Sequence, residues 1–172
     1  MDNRMDSLVD AFLYFNISEP FKAQKLYTRR GSYHDQYLVM TEVAAGNCLA
    51  IQTTFIEESG KLRNGFPEIF ASLLEFIAEE PNPVTVIIYN IETLHSSKKI
   101  RQKMIDALLS SKCVVLEAKP LNGEYASVRI LELNETFQHG YFGCQDLAKS
   151  LRGLLVTKEN SLLHGLCKPD KK

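Results

Sequence analysis

The sequence predicts a single α/β domain, with a mixed sheet of about five strands and helices packed against it. Two observations support this fold class. Residues 84–89 are almost all β-branched or apolar, as expected for a strand that is covered on both faces. Residues 67–80 place apolar side chains at the one-sided spacing of a helix that lies on a sheet. A chain of 172 residues has the length of one domain with one core.

The N-terminal part predicts a helix followed by a hairpin. Residues 5–17 hold apolar side chains at mixed spacing, which we interpret as a packed helix, so that residues 1–20 form an N-terminal helical extension. From Tyr33 onward the pattern is typical of strands, and a Gly-Asn pair separates two apolar runs as a hairpin turn does. The sheet core is therefore predicted to span residues 33–133.

The stretch from Pro83 to Pro120 predicts a strand, a polar loop, a helix and a second strand. Two parallel strands joined through a helix require a right-handed crossover. After Pro120, an Asn-Gly pair turns the chain into an edge or antiparallel strand. Residues 144–172 are predicted as a C-terminal helix with a charged tail.

Composition and charge argue against several classes of function. A formal net charge of -1 and a hydrophobic content of 45% describe an ordinary soluble globular protein, so that general attraction to nucleic acid is disfavoured. The cysteines lie far apart with no CxxC pair, which is typical of reduced intracellular thiols. The N-terminal apolar run is short and interrupted by Asp10, unlike a signal peptide or a membrane span. We therefore expect a cytoplasmic protein without a membrane segment.

Motifs for catalysis, cofactors or metals are not found in the sequence. It has no GxSxG, no GxGxxG and no phosphate-binding GxxxxGK[ST]. The nearest set of metal ligands has spacings that fit no standard zinc pattern. Its members are His139, Cys144, His164 and Cys167. The sequence thus predicts neither a cofactor nor a metal, and it favours a non-enzymatic function.

A candidate binding site lies at the start of the helix after Ser97. Lys98 and Lys99 fall in its first turn, where the helix dipole makes each cation unfavourable by about 0.5 kcal/mol. Free backbone N–H groups and neighbouring hydroxyls at such a position suit a phosphate, an acidic partner loop or a phosphoserine. The predicted binding loop comprises Glu92, His95, Ser96, Ser97, Lys98 and Lys99.

The order of elements around this loop resembles the STAS domain of anti-sigma-factor antagonists. The helix FPEIFASLLEFIAEE, the strand VTVIIYN, the loop IETLHSS, a helix and the strand CVVLEAKP follow the same order over about residues 48–120. The Ser96-Ser97 pair falls where that family carries its phosphorylated serine, although His95 and Lys98 replace the acid and the glycine of the family pattern. The resemblance implies a non-enzymatic module that docks to another protein.

We therefore expect a regulatory or assembly module that acts through a protein partner and is switched by phosphorylation at Ser96-Ser97. One alternative is a degenerate ribonuclease-H-like protein that binds or processes nucleic acid, with too few acids for two metal ions. Its phosphate-facing strip would be Lys22, Lys25, Arg29 and Arg30. Another alternative is a structural subunit of a larger complex.

Overall fold

Eight strands and four α-helices make up the described parts of the computed structural model, which are residues 9–18, 33–120, 126–139 and 145–166. The strands are β1 (Val9–Asn16), β2 (Leu49–Glu57), β3 (Leu62–Arg63), β4 (Phe66–Pro67), β5 (Val84–Tyr89), β6 (Cys113–Pro120), β7 (Ala126–Ile130) and β8 (Glu135–His139). The helices are α1 (Tyr33–Gly46), α2 (Glu68–Glu79), α3 (Lys98–Leu109) and α4 (Gln145–Leu166). A short 3-10 helix (Ile91–Thr93) lies between β5 and α3.

A mixed sheet of six strands has the order β2-β1-β5-β6-β7-β8, and β3 pairs with β4 in a separate ribbon. β1 is parallel to both β2 and β5, and β5 is parallel to β6. β7 and β8 continue the sheet in antiparallel pairing. The predicted α/β domain with a mixed sheet is confirmed, with six strands in the main sheet instead of about five.

Residues 9–16 form an interior strand of the sheet, so the predicted N-terminal helix is wrong. All residues from Ala11 to Asn16 are buried, because β1 has a strand on each side and helices on both faces. An unbroken apolar run is the pattern of such a strand, but over so few residues its spacing does not distinguish a strand from a buried helix. The sheet core therefore begins at Val9 rather than at residue 33.

Residues 33–46 form helix α1, where the sequence predicts a strand and a hairpin. Met40, Val43 and Ala44 are buried at the spacing of one helix face. The Gly-Asn pair ends this helix, since the Asn47 side-chain amide donates to the Val43 carbonyl at 2.7 Å. Cys48 then adopts a left-handed φ of 56°, which turns the chain into β2. The predicted hairpin is wrong, and the two apolar runs belong to a helix and a parallel strand.

Helices cover both faces of the sheet. On one face α1 and α4 pack on β1, β5 and β6, and on the other face α2 and α3 pack on the same strands. The first cluster includes Leu13, Met40, Ile87, Leu116 and Leu147. The second includes Tyr14, Phe70, Ile88, Met104 and Val115. Right-handed crossovers require this arrangement, because the chain moves from β1 outward to β2 and then back across β1 to β5.

The stretch from Pro83 to Pro120 folds as the sequence predicts. β5 pairs in parallel with β6, and α3 joins them with Met104 and Leu108 buried. Helix α2 matches the predicted helix over residues 67–80, and α4 begins where the C-terminal helix is predicted. Within the described ranges, none of the helices has the length and apolar character needed to cross a membrane.

Candidate functional site

The carboxyl ends of β1 and β5 lie side by side where the winding of the sheet reverses. The connection after β1 leads to β2 on one side, whereas the connection after β5 leads to β6 on the other side. Ligands of open α/β sheets bind in the crevice outside the carboxyl ends of the strands at such a switch point. The topology therefore predicts a binding site at the residues that follow Asn16 and Tyr89.

Asn16 links the end of β1 to the loop that follows β5. Its Oδ1 accepts hydrogen bonds from the backbone N–H of Ser18 at 3.0 Å and from the Ser18 hydroxyl at 2.7 Å. Its Nδ2 donates to the carbonyl of Leu94 at 2.8 Å. Asn16 and Ser18 are each 3% exposed. One buried amide thus fixes both the serine hydroxyl and the neighbouring loop.

Ser18 packs against the connection between β2 and β3. Gly60 in this connection has a φ of +66°, and a Cβ at that position would lie 3.5 Å from the Cβ of Ser18. The Ser18 hydroxyl donates its hydrogen to a neutral amide, whereas nucleophilic catalysis needs a base that accepts it. In this arrangement Ser18 is a buried polar group that is held in place.

Glu57 at the end of β2 is fully buried and stabilises the start of α2. Its Oε2 accepts the backbone N–H of Ile69 at 2.8 Å, and the cap residue Pro67 supplies no side-chain hydrogen bond. An anion is favoured at this end of a helix. The nearby Tyr14 hydroxyl has no hydrogen-bond partner among the described residues. Burial, and then the Glu57 carboxylate, raise the pKa of Tyr14 well above its ordinary value, so its phenol is neutral.

Glu117 of β6 fixes the start of the loop after β5. Its Oε2 accepts the backbone N–H of Ile91 at 2.7 Å, and its Oε1 pairs with Arg129 at 2.9 Å. The carboxylate is 2% exposed, so the ion pair and the hydrogen bond offset its loss of hydration. Asn90 has a left-handed φ of 48°, and its Oδ1 accepts the backbone N–H of Glu92 at 3.2 Å. Side chains of β6 and of the loop itself therefore determine the loop conformation.

His95 stabilises the second half of this loop through hydrogen bonds. Its Nδ1 accepts the backbone N–H of Ser97 at 2.9 Å, and the Ser97 hydroxyl caps α3 by accepting from the N–H of Ile100 at 3.4 Å. Arg101 donates to the carbonyl of His95 at 2.9 Å. Burial is the largest influence on the pKa of His95 and lowers it, Arg101 also lowers it, and Glu57 raises it. Because the Ser97 N–H donates to Nδ1, this hydrogen bond favours the unprotonated ring. The net lowering favours a neutral ring.

The predicted loop residues divide into two groups at this edge. His95 and Ser97 are partly buried and bonded within the loop, as described above. The exposed members are Glu92, Ser96, Lys98 and Lys99. The alternative strip of Lys22, Lys25, Arg29 and Arg30 lies outside the described residues, in the segment between Ser18 and α1.

Sequence reasoning missed Asn16, Ser18, Glu57 and Glu117 as residues of this edge. The polar Asn-Ile-Ser that follows the apolar run of β1 was the available signal, but it has this meaning only if residues 9–16 are a strand. The side chains of His139, Cys144, His164 and Cys167 fall outside the described part of the chain. Among the side chains that are described, no three His, Cys, Asp or Glu residues form a group that could hold a metal ion.

Comparison with known proteins yields a structural likeness. No protein-family model matches the sequence, and no curated protein matches it. The chain is similar to the crystal structure of the N-terminal catalytic domain of TP901-1 integrase, with 13% sequence identity and a TM-score of 0.48. The match covers 92% of this chain and 99% of that chain. A likeness at this level concerns the arrangement of helices and strands, and no residue role is carried over from it.

The predicted non-enzymatic regulatory or assembly module is corrected by this finding, since the similar chain is a catalytic domain of an integrase. In the predicted Ser96-Ser97 phosphorylation site, Ser97 caps α3 and its N–H bonds to His95, whereas Ser96 is exposed, and phosphorylation there stays a prediction. The resemblance to the STAS domain is not tested by this likeness and stays a prediction.

Proposed function

We propose that this domain binds nucleic acid through backbone phosphates at the carboxyl edge of the sheet, between the ends of β1 and β5. One observation carries the proposal: Lys98 and Lys99 are exposed at the start of α3, directly after the loop that leaves the end of β5, and β5 pairs with β1. Lys22, Lys25, Arg29 and Arg30 belong to the segment that the chain enters at Ser18. Lys98 and Lys99 open α3 after the loop that follows β5.

The two exposed lysines at the start of α3 favour an anionic ligand, and Glu92 is the exposed acid of the preceding loop. Lys98 and Lys99 are exposed and have no ion pair with another described residue, and the positive end of the α3 dipole adds to their field. The acids Glu57 and Glu117 are buried and engaged with backbone N–H groups or Arg129. The net charge of -1 for the whole chain therefore does not describe the local potential at this edge.

The loop that would meet the phosphates is fixed before a ligand arrives. Leu94 is held by Asn16, Ile91 by Glu117 and the His95 carbonyl by Arg101. A fixed loop loses little conformational entropy on binding, which favours affinity. Asn16 and Glu117 are buried and Arg101 is partly buried, so Lys98 and Lys99 are the exposed cations of this loop and helix start that would contact a phosphate.

A salt titration of DNA binding tests the proposal. We would measure anisotropy of a labelled mixed-sequence DNA duplex with the intact chain, the Lys98→Ala/Lys99→Ala variant and the control Lys149→Ala, which removes an exposed lysine of α4. Each lost phosphate contact lowers the slope of log K against log salt by about 0.9, so the double variant should lose up to about 1.8. The control should keep the slope of the unmodified chain. Absence of binding at low salt, or an unchanged slope in the double variant, would contradict the proposal.

A further inference from the structure

We propose that His95 is a proton-controlled latch on the loop that joins β5 to α3. Its Nδ1 accepts the Ser97 N–H at 2.9 Å, and a ring nitrogen that accepts leaves the hydrogen of the neutral ring on Nε2. Ser97 in turn caps α3 through the N–H of Ile100. The first turn of the helix is thus tied to the loop by a bond that exists only while Nδ1 is unprotonated.

Proton uptake opens the latch for a geometric reason. Because Nε2 already carries a hydrogen, the added proton goes to Nδ1 and converts the acceptor into a donor. Two donors then face each other across the distance that the Ser97 hydrogen bond occupied. The guanidinium of Arg101, which donates to the His95 carbonyl at 2.9 Å, adds a like charge beside the ring. Loss of the bond releases the turn that leads directly into Lys98 and Lys99.

The groups around the ring come from several elements. α3 contributes the cation Arg101, and the end of β2 contributes the anion Glu57. From β1, the neutral amide of Asn16 donates to the carbonyl of Leu94, the residue before His95. Glu57 raises the pKa of His95 and Arg101 lowers it. One oxygen of Glu57 already accepts a backbone N–H at the start of α2. Burial is the largest influence and lowers the pKa of His95 from its ordinary 6.5, so the latch is closed at neutral pH.

The latch would regulate ligand binding at this edge, and this consequence rests on the proposed function. The protonated ring adds one positive charge next to Lys98 and Lys99, and this added attraction for a phosphate outweighs the lost preorganisation of the turn. Affinity for nucleic acid should therefore rise as the pH falls through the pKa of His95. The latch itself is a property of the loop and can be tested without nucleic acid.

Nuclear magnetic resonance of the intact chain tests the latch directly. We would follow the Ser97 amide and the His95 ring from about pH 8 to about pH 5, the range in which histidine titrates. The amide signal should move with the same midpoint as the ring. In His95→Asn the side-chain oxygen can accept the same N–H in an Asx turn and does not titrate, so the Ser97 amide should not respond to pH. A Ser97 amide that ignores the ring titration, or that shifts equally in His95→Asn, would overturn the latch.

DNA binding over the same pH range separates the latch from the proposed function. The unmodified chain should gain about two- to five-fold in affinity on acidification, the range of one partly exposed charge pair, beyond any gain in His95→Asn. The other three histidines are present in both proteins, so their pH response is the same and is removed by comparing the two. Equal pH responses in both proteins would overturn the regulatory role. Absence of DNA binding at every pH would reject the proposed function and its regulation, while the amide titration would still decide the latch.

Discussion

The two edges of the parallel sheet use their charged residues in opposite ways. At the carboxyl edge, buried carboxylates and an amide hold the loops, and Lys98 and Lys99 are left exposed. At the amino edge, lysines are the structural ties: Lys158 of α4 pairs with Glu132 at 2.5 Å and donates to the Cys113 carbonyl. A cation that holds an element in place is not available to a ligand. Charge alone therefore does not locate a binding site, but exposed charge beside a fixed loop does.

The amino edge shows how far this structural use of lysine extends. Lys158 also donates to the carbonyl of Ser111 at 3.4 Å, and Lys112 donates to the carbonyl of Glu80. These contacts tie the end of α3 to α4, and the end of α2 to the start of β6. Burial raises the pKa of Cys113 to about 12, so this thiol is a packed apolar group of the same region. The amino edge thus stabilises the fold, and the carboxyl edge holds the candidate site.

Asn16→Ala should produce the largest loss of stability. It removes the acceptor of two Ser18 hydrogen bonds and the donor to Leu94, and leaves these groups buried and unpaired. We expect a loss of about 2–4 kcal/mol in the free energy of unfolding, measured by urea denaturation. The exposed Asn82→Ala provides the control and should change the free energy by less than about 0.5 kcal/mol. A loss of under about 1 kcal/mol for Asn16→Ala would mean that Asn16 does not hold the edge together.

Lys158→Met should destabilise the amino edge while leaving ligand binding unchanged. The substitution keeps most of the side-chain length but loses the ion pair with Glu132 and the hydrogen bonds to two carbonyls. We expect a loss of about 1–2 kcal/mol, and a double-mutant cycle with Glu132→Gln isolates the ion pair. DNA affinity measured under conditions where the variant is folded should equal that of the unmodified chain. A weaker affinity would show that the two edges do not divide their roles as described.

The pH dependence of stability should show a smaller effect from His95. Because burial lowers its pKa in the folded state, the unfolded chain takes up a proton first as the pH falls below about 6.5. The contribution of His95 to stability is therefore complete above that value and is lost as the pH falls toward its folded pKa. Subtracting the urea unfolding curves of His95→Asn from those of the unmodified chain measures it. A difference that is constant from about pH 8 to about pH 5 would contradict this assignment.

The sequence predicts β5 and β6 better than β1 and α1 for a physical reason. Pro83 marks the start of β5 and the cap residue Ser97 marks the start of α3, so these boundaries are encoded locally. β1 is a short apolar run whose strand conformation depends on pairing with β2 and β5, and local spacing does not encode that pairing. In α1, tertiary packing of Met40 and Val43 overrides a local pattern that resembles a strand.

Only the exposed part of the candidate site can be predicted from the sequence. Lys98 and Lys99 at a capped helix start form a local signal of charge and spacing. Asn16, Glu57 and Glu117 come from three strands, and their roles follow from the order β2-β1-β5-β6. A polar residue at the end of an apolar run has no assigned partner until the neighbouring strands are known.

Chemical-shift mapping with DNA tests the central claim most directly. We would titrate the isotope-labelled chain with the mixed-sequence duplex and follow the backbone amide signals. The account predicts that the largest changes fall at the carboxyl edge, at Ser18 and at residues 91–101, while Lys112 and Lys158 at the amino edge stay unperturbed. Changes centred on the amino edge, or no changes at DNA concentrations that saturate the anisotropy signal, would contradict it.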